Sequence, residues 1–213
     1  MKKFHRATRL NINRKTTPAA QPIRIWSNRE LKKISLHFTG DVINISGWED
    51  KDKEGGFYRE YFPKAQSYTV SNYTPSHSDN PMTQIILDLE KPLPKKHERQ
   101  YDVVLSHTNL EHIFDVFTAF KNHCKLSRDI VIVVVPFIQQ QHETEEFKDY
   151  WRFTPSCLRE LFAQNGLSTI YESFNNEANT VNYLLFVGSR HPKKWQKSMP
   201  SYAELYQIAK WAG

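Results

Sequence analysis

The sequence has 213 residues, a formal net charge of +6 and 39% hydrophobic residues, which is typical of one water-soluble globular domain. Its longest apolar run, residues 130–138, is too short for a membrane-spanning helix, which needs about 20 residues. The chain start lacks the apolar core of a signal peptide, and the two cysteines, Cys124 and Cys157, make no disulfide framework. These features predict a cytoplasmic protein.

Positive charge is concentrated in residues 1–33, which contain ten Lys or Arg residues and one acid, Glu30. The remaining residues therefore carry −3 (+6 minus +9). We expect residues 1–26 to form a basic extension that is either solvated or in weak contact with an anionic membrane, at its inner face, or an acidic protein. Phe4 and Trp26 are too few aromatics for base stacking, so no specific nucleic-acid partner is predicted.

Helical and strand patterns alternate from residue 27 and predict an α/β domain over residues 27–190. Ser27 to Glu30 fits a capping box, and Leu31, Ile34 and Phe38 follow on one helical face. Seven apolar runs, several of them rich in β-branched residues, predict strands at residues 42–46, 68–72, 84–88, 101–106, 130–136, 168–172 and 181–187.

The segments between these runs predict helices. Residues 110–120 have apolar side chains at helical spacing, which predicts a helix from about Asn109 whose aromatic stripe enters the core. Thr154 and Pro155 predict a capped helix that Gly166 ends, and a last helix is expected within residues 191–213, from Ser201 to about Trp211.

The order of elements predicts a doubly wound, mostly parallel seven-stranded sheet. The last two strands are separated only by residues 174–180, which leaves no room for a crossover helix. They are therefore expected to form a C-terminal antiparallel hairpin.

Three segments resemble those of class I S-adenosylmethionine-dependent methyltransferases, in the small-molecule, methyltransferase type 11-like branch. They are YDVVLS at residues 101–106 with LEHI at 110–113; VPF at 135–137, His142 and DYWRFTP at 149–155; and ILDL at 86–89 with Leu93 and Pro94. The resemblance covers about residues 40–175. It implies a Rossmann-like fold, S-adenosylmethionine as cofactor, and methyl transfer to a small-molecule or saccharide acceptor, plausibly in bacterial surface-polysaccharide synthesis.

The chain departs from this family at the loop after the first strand. The family has a glycine-rich turn there, because a Cβ would clash with the cofactor, whereas this chain has Ser46, Gly47 and Trp48 followed by six charged residues. At the end of strand two, Asn72 stands where the family has an acid that binds the ribose. An alternative is therefore a non-catalytic binding or regulatory protein that has lost the donor site.

The resemblance implies a set of residues around the cofactor at the strand ends. They are Ser46, Gly47, Trp48, Asn72, Tyr73, Asp88, Leu89, Ser106, His107 and Glu111. An acid in the first turn of a helix also favours the helix dipole, so Glu111 is equally open to a capping role.

Methyl transfer to a hydroxyl needs a group that removes the proton, and His142, in the loop after the central strand, is the predicted base. Its alternative is a loop histidine bonded to backbone. Asp149, Tyr150, Trp151 and Arg152 are predicted to bind substrate; Asp149 and Arg152 could instead form an ion pair, and the aromatics could pack in the core. No metal site is expected, because His107, Glu111 and His112 are the closest grouping and lack a second cluster.

Overall fold

The computed structural model describes residues 22–73, 83–175 and 182–199. The basic segment before residue 22 and the predicted helix at residues 201–211 lie outside the described residues. Within them the chain forms four α-helices, α1 (Pro22–Ser35), α2 (Val116–Leu126), α3 (Pro155–Gln164) and α4 (Pro192–Trp195). The strands are β1 (Gly40–Ile45), β2 (Ala65–Asn72), β3 (Thr83–Ile86), β4 (Tyr101–His107), β5 (Ser127–Ile138), β6 (Ser168–Phe174) and β7 (Asn182–Ser189).

The seven strands form one sheet in the order β3-β2-β1-β4-β5-β7-β6. The pairs from β3 to β5 are parallel, and β7 is antiparallel to both β5 and β6. The predicted mostly parallel sheet with a C-terminal hairpin is confirmed. The strand order reverses beside β1 and β4, and a sheet of this kind has a crevice at that point, outside the carboxyl ends of its strands.

The sheet is covered on both faces, as its apolar runs predicted. Strand β5 shows this most clearly, because Val131, Val133 and Val135 pack in one core and Ile130 and Ile132 pack in the other. Helices α2 and α3 cover the first face, and α1 and α4 cover the second. Every one of these β5 side chains is at most 1% exposed, which fixes the central strands and hence the positions of the loops at their ends.

The start of α1 corrects a prediction. The helix begins at Pro22 and not at Ser27, because Ile23 and Trp26 are buried in the core and extend the apolar face by one turn. The hydroxyl of Ser27 donates to the carbonyl oxygen of Arg24 at 3.0 Å, inside the helix, so Ser27 is not a cap.

The helix after β4 was also placed too early. Residues Leu110–His112 form one turn of 3₁₀-helix, and α2 begins only at Val116, where Asp115 caps the amide of Thr118. The predicted aromatic stripe is broken by this change, since Phe114 and Phe117 are 67% and 61% exposed. By contrast, Thr154 caps α3 through the amide of Cys157, as predicted.

Candidate active site

A cavity of about 1020 Å³ opens at the carboxyl ends of the parallel strands. Its wall includes residues from the ends of β1, β2, β3 and β4, from the loop after β5, and from the start of β7, which runs in the opposite direction. The cavity therefore lies at the crevice that this topology predicts. This volume is near the top of the usual range for small-molecule pockets, so a ligand of nucleoside size can fit.

The loop after β1 is tightly wound by hydrogen bonds within the protein. Ser46 and Trp48 have positive φ angles of 51° and 50°, and the amide of Gly47 donates to the carbonyl oxygen of Ser71 at 3.1 Å. A Cβ on Gly47 would lie 2.6 Å from Nδ2 of Asn44 and 3.1 Å from Cγ1 of Val70. Glycine is thus required here by protein packing.

The charged run after Trp48 is partly buried. The carboxylate of Asp50 is fully buried and accepts hydrogen bonds from Asn44 Nδ2 at 2.9 Å, Tyr68 Oη at 2.8 Å and Arg59 Nε at 3.2 Å. Asp52 accepts from the Tyr61 hydroxyl at 2.7 Å. These two aspartates fold the loop back on the domain, and Lys51 between them and Lys53 after them continue the cavity wall.

Asn72 holds the same loop from the end of β2. Its Oδ1 accepts a hydrogen bond from the amide of Trp48 at 2.8 Å, and its Nδ2 donates to the carbonyl oxygen of Trp48 at 3.2 Å. The side chain is 3% exposed. The position that could bind a ribose therefore binds backbone, while the Trp48 side chain stands 47% exposed at the cavity wall.

The turn after β3 supplies a mixed apolar and acidic wall. Leu87 and Leu89 are buried at its base, and Asp88 and Glu90 lie at the cavity. The amide of Leu87 donates to the carbonyl oxygen of Asn72 at 2.9 Å, which joins the ends of β2 and β3. Such a wall suits a planar ring with exocyclic donors.

Arg24 on α1 reaches the cavity and was missed by the sequence analysis. Its Nη1 lies 2.6 Å from His107 Nδ1 and 3.2 Å from Thr108 Oγ1. Because a guanidinium only donates, His107 Nδ1 accepts, and Nε2 carries the proton that faces Ser27 Oγ at 3.2 Å. Burial, together with the Arg24 charge, holds the pKa of His107 well below its usual range, so this ring is neutral.

Three further groups meet where the 3₁₀ turn approaches the loop after β5. Glu111 is fully buried, and burial raises the pKa of its carboxyl group to about 8. His112 contacts the ring of His142 edge-on, with 5.0 Å between centroids, and burial lowers the pKa of His112. All three residues line the cavity.

Asp149 fixes this loop from behind. Arg152 binds it through two hydrogen bonds of 2.6 and 2.7 Å, and the amide of His142 donates to it at 2.8 Å. The hydrogen bonds from Arg152 lower the pKa of Asp149 to about 2. The carboxylate also lies 3.3 Å from Nδ1 of His142, although the two groups make no hydrogen bond.

No family model and no curated protein matches the sequence, whereas solved structures match over most of the chain. One is the Burkholderia thailandensis 1,6-didemethyltoxoflavin-N1-methyltransferase with S-adenosylhomocysteine bound, with a TM-score of 0.56, 15% identity and coverage of 78% of this chain and 80% of that one. Another is the magnesium protoporphyrin IX methyltransferase of Synechocystis with its donor bound, with a TM-score of 0.54, 10% identity and 79% and 81% coverage. A chain in the complex of the Haloferax volcanii Trm112 methyltransferase activator and a methyltransferase matches with a TM-score of 0.59, 13% identity and 78% and 90% coverage.

The fold is that of the class I methyltransferases. The strand order, the antiparallel β7 and the coverage of the matched chains agree on this assignment. At identities of 10% to 15%, these matches establish the fold alone.

In this methyltransferase fold, most of the predicted site residues come together at one cavity. Those on its wall are Ser46, Gly47, Trp48, Asn72, Tyr73, Asp88, Leu89, His107, Glu111, His142 and Tyr150. Four lie behind it: Ser106 is buried against Asn109, Asp149 and Arg152 form the ion pair described above, and Trp151 donates from Nε1 to the carbonyl oxygen of Ile113 at 2.9 Å.

Proposed function

We propose that the chain transfers a methyl group from S-adenosylmethionine to a small-molecule acceptor. The observation that carries this proposal is the single cavity that joins the ends of β1, β2, β3 and β4 to the loop after β5. A donor and an acceptor can meet there without crossing a protein wall, which methyl transfer requires.

The donor end of the cavity fits an adenosyl group in part. Leu87, Asp88 and Leu89 would hold the adenine ring, and the guanidinium of Arg24 near Thr108 would face the carboxylate of the methionine moiety. The ribose would lie beside Trp48, where this chain has no free acid at the end of β2. We therefore expect donor affinity to be lower than a charged ribose ligand would give.

The acceptor end carries the groups that move a proton. When bound, the donor supplies a methyl group already activated by its sulfonium. The backbone amide of His142 donates to the Asp149 carboxylate, and the imidazole, on the cavity wall, would take the proton from an acceptor hydroxyl. Glu111, protonated at neutral pH because of its raised pKa, would donate a hydrogen bond to the same acceptor.

The acceptor is proposed to be a saccharide, and the pathway surface-polysaccharide synthesis in the cytoplasm. Tyr150 is 47% exposed at the cavity and packs edge-on against Phe114 at 5.3 Å, and an aromatic rim of this kind suits a sugar ring. The matched methyltransferases are named for other compounds, 1,6-didemethyltoxoflavin and magnesium protoporphyrin IX. No described helix has the length and apolar character needed to cross a membrane, and contact of the basic extension with a membrane is part of the proposal.

Thermal unfolding with S-adenosylhomocysteine tests the donor part. A ligand at 100 times its Kd stabilises the folded state by about 2.7 kcal/mol, which for a chain of this size raises Tm by about 5–10 °C. Turnover with a panel of nucleotide sugars tests the acceptor, and His142→Ala should lower it by about 100-fold. No shift at saturating product would contradict the proposal.

A second candidate function, a non-catalytic binding protein on the same fold, is favoured by one observation. Asn72, which stands where the family has an acid, and Gly47, the one glycine of the turn after β1, both serve contacts inside the protein. This candidate predicts a folded protein with no response to the donor or its product, and the same melting experiment therefore separates the two.

A further inference from the structure

Three metal-ligand side chains converge at the acceptor end of the cavity. One donor atom from each of Glu111, His112 and His142 can be chosen so that all three lie within 4.8 Å of one another. We refer to these residues as the His-Glu cluster. Two imidazoles and one carboxylate form a donor set that divalent transition metals, zinc in particular, bind well.

The carboxyl group of Glu111 is the observation that points to a ligand. The residue is fully buried, yet neither side-chain oxygen has a hydrogen-bond partner among the described residues. Leaving a buried polar group without a partner costs about 1–3 kcal/mol. A cation between Glu111 and the two imidazoles would satisfy both oxygens at once.

The imidazole of His112 is oriented as metal ligands usually are. His112 Nδ1 lies 2.6 Å from the carbonyl oxygen of Lys148, which can only accept, so Nδ1 carries the proton and Nε2 has the lone pair. His112 Nε2 lies 3.8 Å from Glu111 Oε1. A metal-bound histidine generally donates its other N–H to an oxygen, as His112 does to Lys148. His142 Nδ1 lies 3.3 Å from the Asp149 carboxylate but makes no hydrogen bond to it.

The backbone fixes the two segments that carry the cluster. The carbonyl oxygen of Glu111 accepts from the amides of Tyr150 and Trp151 at 2.8 and 3.3 Å, and Trp151 Nε1 donates to Ile113. The turn that bears Glu111 and the loop that bears Asp149 are thus joined directly. Preorganisation of this kind is what a metal site needs from its surroundings.

We propose that the His-Glu cluster binds one divalent transition-metal ion, and that the remaining coordination positions of the ion are open to the cavity. An equilateral triangle of 4.8 Å sides places its centre about 2.8 Å from each corner (4.8 divided by √3), and zinc bonds to nitrogen and oxygen are about 2.0–2.2 Å. Each donor would move inward by less than about 1 Å. Three protein ligands and an open position are the pattern of catalytic zinc sites.

The ion deepens the proposed function and rests on it only for its role. A hydroxyl bound to the ion would have a lowered pKa, so the metal would replace His142 as the means of forming the attacking oxygen. A metal-bound His142 cannot also take the proton, because a neutral imidazole has one lone pair. A metal-bound Glu111 carboxylate likewise cannot donate the hydrogen bond proposed for its protonated form, so the metal-bound and metal-free sites act in different ways. Metal binding itself requires no methyl donor and can be measured without one.

The test uses the full chain without an affinity tag, stripped with EDTA and then titrated with Zn²⁺ by calorimetry and with Co²⁺ by visible absorption. We expect one equivalent to bind, with a Co²⁺ spectrum typical of nitrogen and oxygen ligands. His112→Gln, His142→Gln and Glu111→Gln should each weaken binding by about 100-fold. His37→Gln, at an exposed histidine on the domain surface, should leave it unchanged.

Far-UV circular dichroism of each stripped variant checks its fold. Since three variants probe one ion, a variant that does not fold leaves the others and the stoichiometry to decide. The proposal would be overturned if the folded wild-type chain bound no metal, or if all three variants bound it as tightly as the wild type. Because no donor is present, either result is distinguishable from a failure of methyl transfer.

Discussion

The Asn72 side chain binds both backbone polar groups of Trp48: its Oδ1 accepts from the amide at 2.8 Å and its Nδ2 donates to the carbonyl oxygen at 3.2 Å. An aspartate cannot make the second bond, since an ionised carboxylate only accepts. An amide at this position therefore makes a pair of bonds that an acid could not make. It secures a loop whose residues Ser46 and Trp48 have positive φ angles.

We predict that Asn72→Asp destabilises the protein. One carboxylate oxygen would face the carbonyl oxygen of Trp48, and loss of the buried bond should cost about 1–3 kcal/mol in the free energy of unfolding. Urea denaturation measures this cost. Gln66→Glu, with the same charge change at an exposed position on β2, is the matched control and should cost less than 0.5 kcal/mol. An Asn72→Asp variant as stable as the wild type would show that the two bonds between Asn72 and Trp48 do not stabilise the protein.

Gly47→Ala should destabilise the protein with or without ligand. The added Cβ would lie 2.6 Å from Asn44 Nδ2, and overpacking of this kind costs about 1–3 kcal/mol. Thermal unfolding without ligand gives the cost. If instead the glycine served only the approach of the cofactor, the variant would fold normally and lose only its response to S-adenosylhomocysteine.

The buried histidine of α2 predicts a pH dependence of stability. Burial lowers the pKa of His123 to about 4, and its Nδ1 donates to the carbonyl oxygen of Ala119 at 2.6 Å. The unfolded chain, with a pKa near 6.5, binds the proton more readily. The neutral ring thus contributes stability above pH 6.5, which is lost as pH falls from about 6.5 to 4, by up to about 1.4 kcal/mol per pH unit.

Urea unfolding between pH 7 and pH 4 measures this loss. His123→Gln should reduce the slope, whereas His37→Gln, at an exposed site, should retain it. Equal slopes in wild type and His123→Gln would show that His123 is not buried as a neutral group.

Asp149→Asn should impair the acceptor end and spare the donor end. The amide loses the charge that binds Arg152 and accepts from the backbone amide of His142. We expect turnover to fall by about 10- to 100-fold, with the Kd for S-adenosylhomocysteine within twofold. Glu143→Gln removes an exposed ion pair with Lys148 in the same loop and is the control. A loss of affinity for S-adenosylhomocysteine in Asp149→Asn would contradict this prediction, because it would show that Asp149 supports the donor end of the cavity.

The strands and the cap of α3 could be predicted because their signals are local. The run of β-branched residues in β5 and the Thr154-Pro155 pair each fix backbone conformation within a few residues. The start of α1 was misplaced because Ile23 and Trp26 were assigned to the basic extension. Read as apolar positions three residues apart on a helix, they would have extended α1 and brought Arg24 to the cavity.

The remaining site features depend on contacts that no local pattern encodes. The spacing of Phe114 and Phe117 matches a helix, yet both are exposed because α2 begins at Val116. The convergence of Glu111 with His142, 31 positions apart, follows from backbone bonds between a turn after β4 and a loop after β5. Resemblance brought both residues into the predicted site, but not their contact with His112.

Isothermal titration calorimetry with S-adenosylhomocysteine measures whether the cavity at the strand ends binds an adenosyl donor. We predict saturable binding of one equivalent per chain. Arg24→Ala, which removes the cation facing the amino-acid end, should weaken it at least tenfold, and Arg29→Ala on the exposed side of α1 should leave it unchanged. An absence of heat with folded wild-type protein at millimolar ligand would contradict it and leave a methyltransferase fold without its donor.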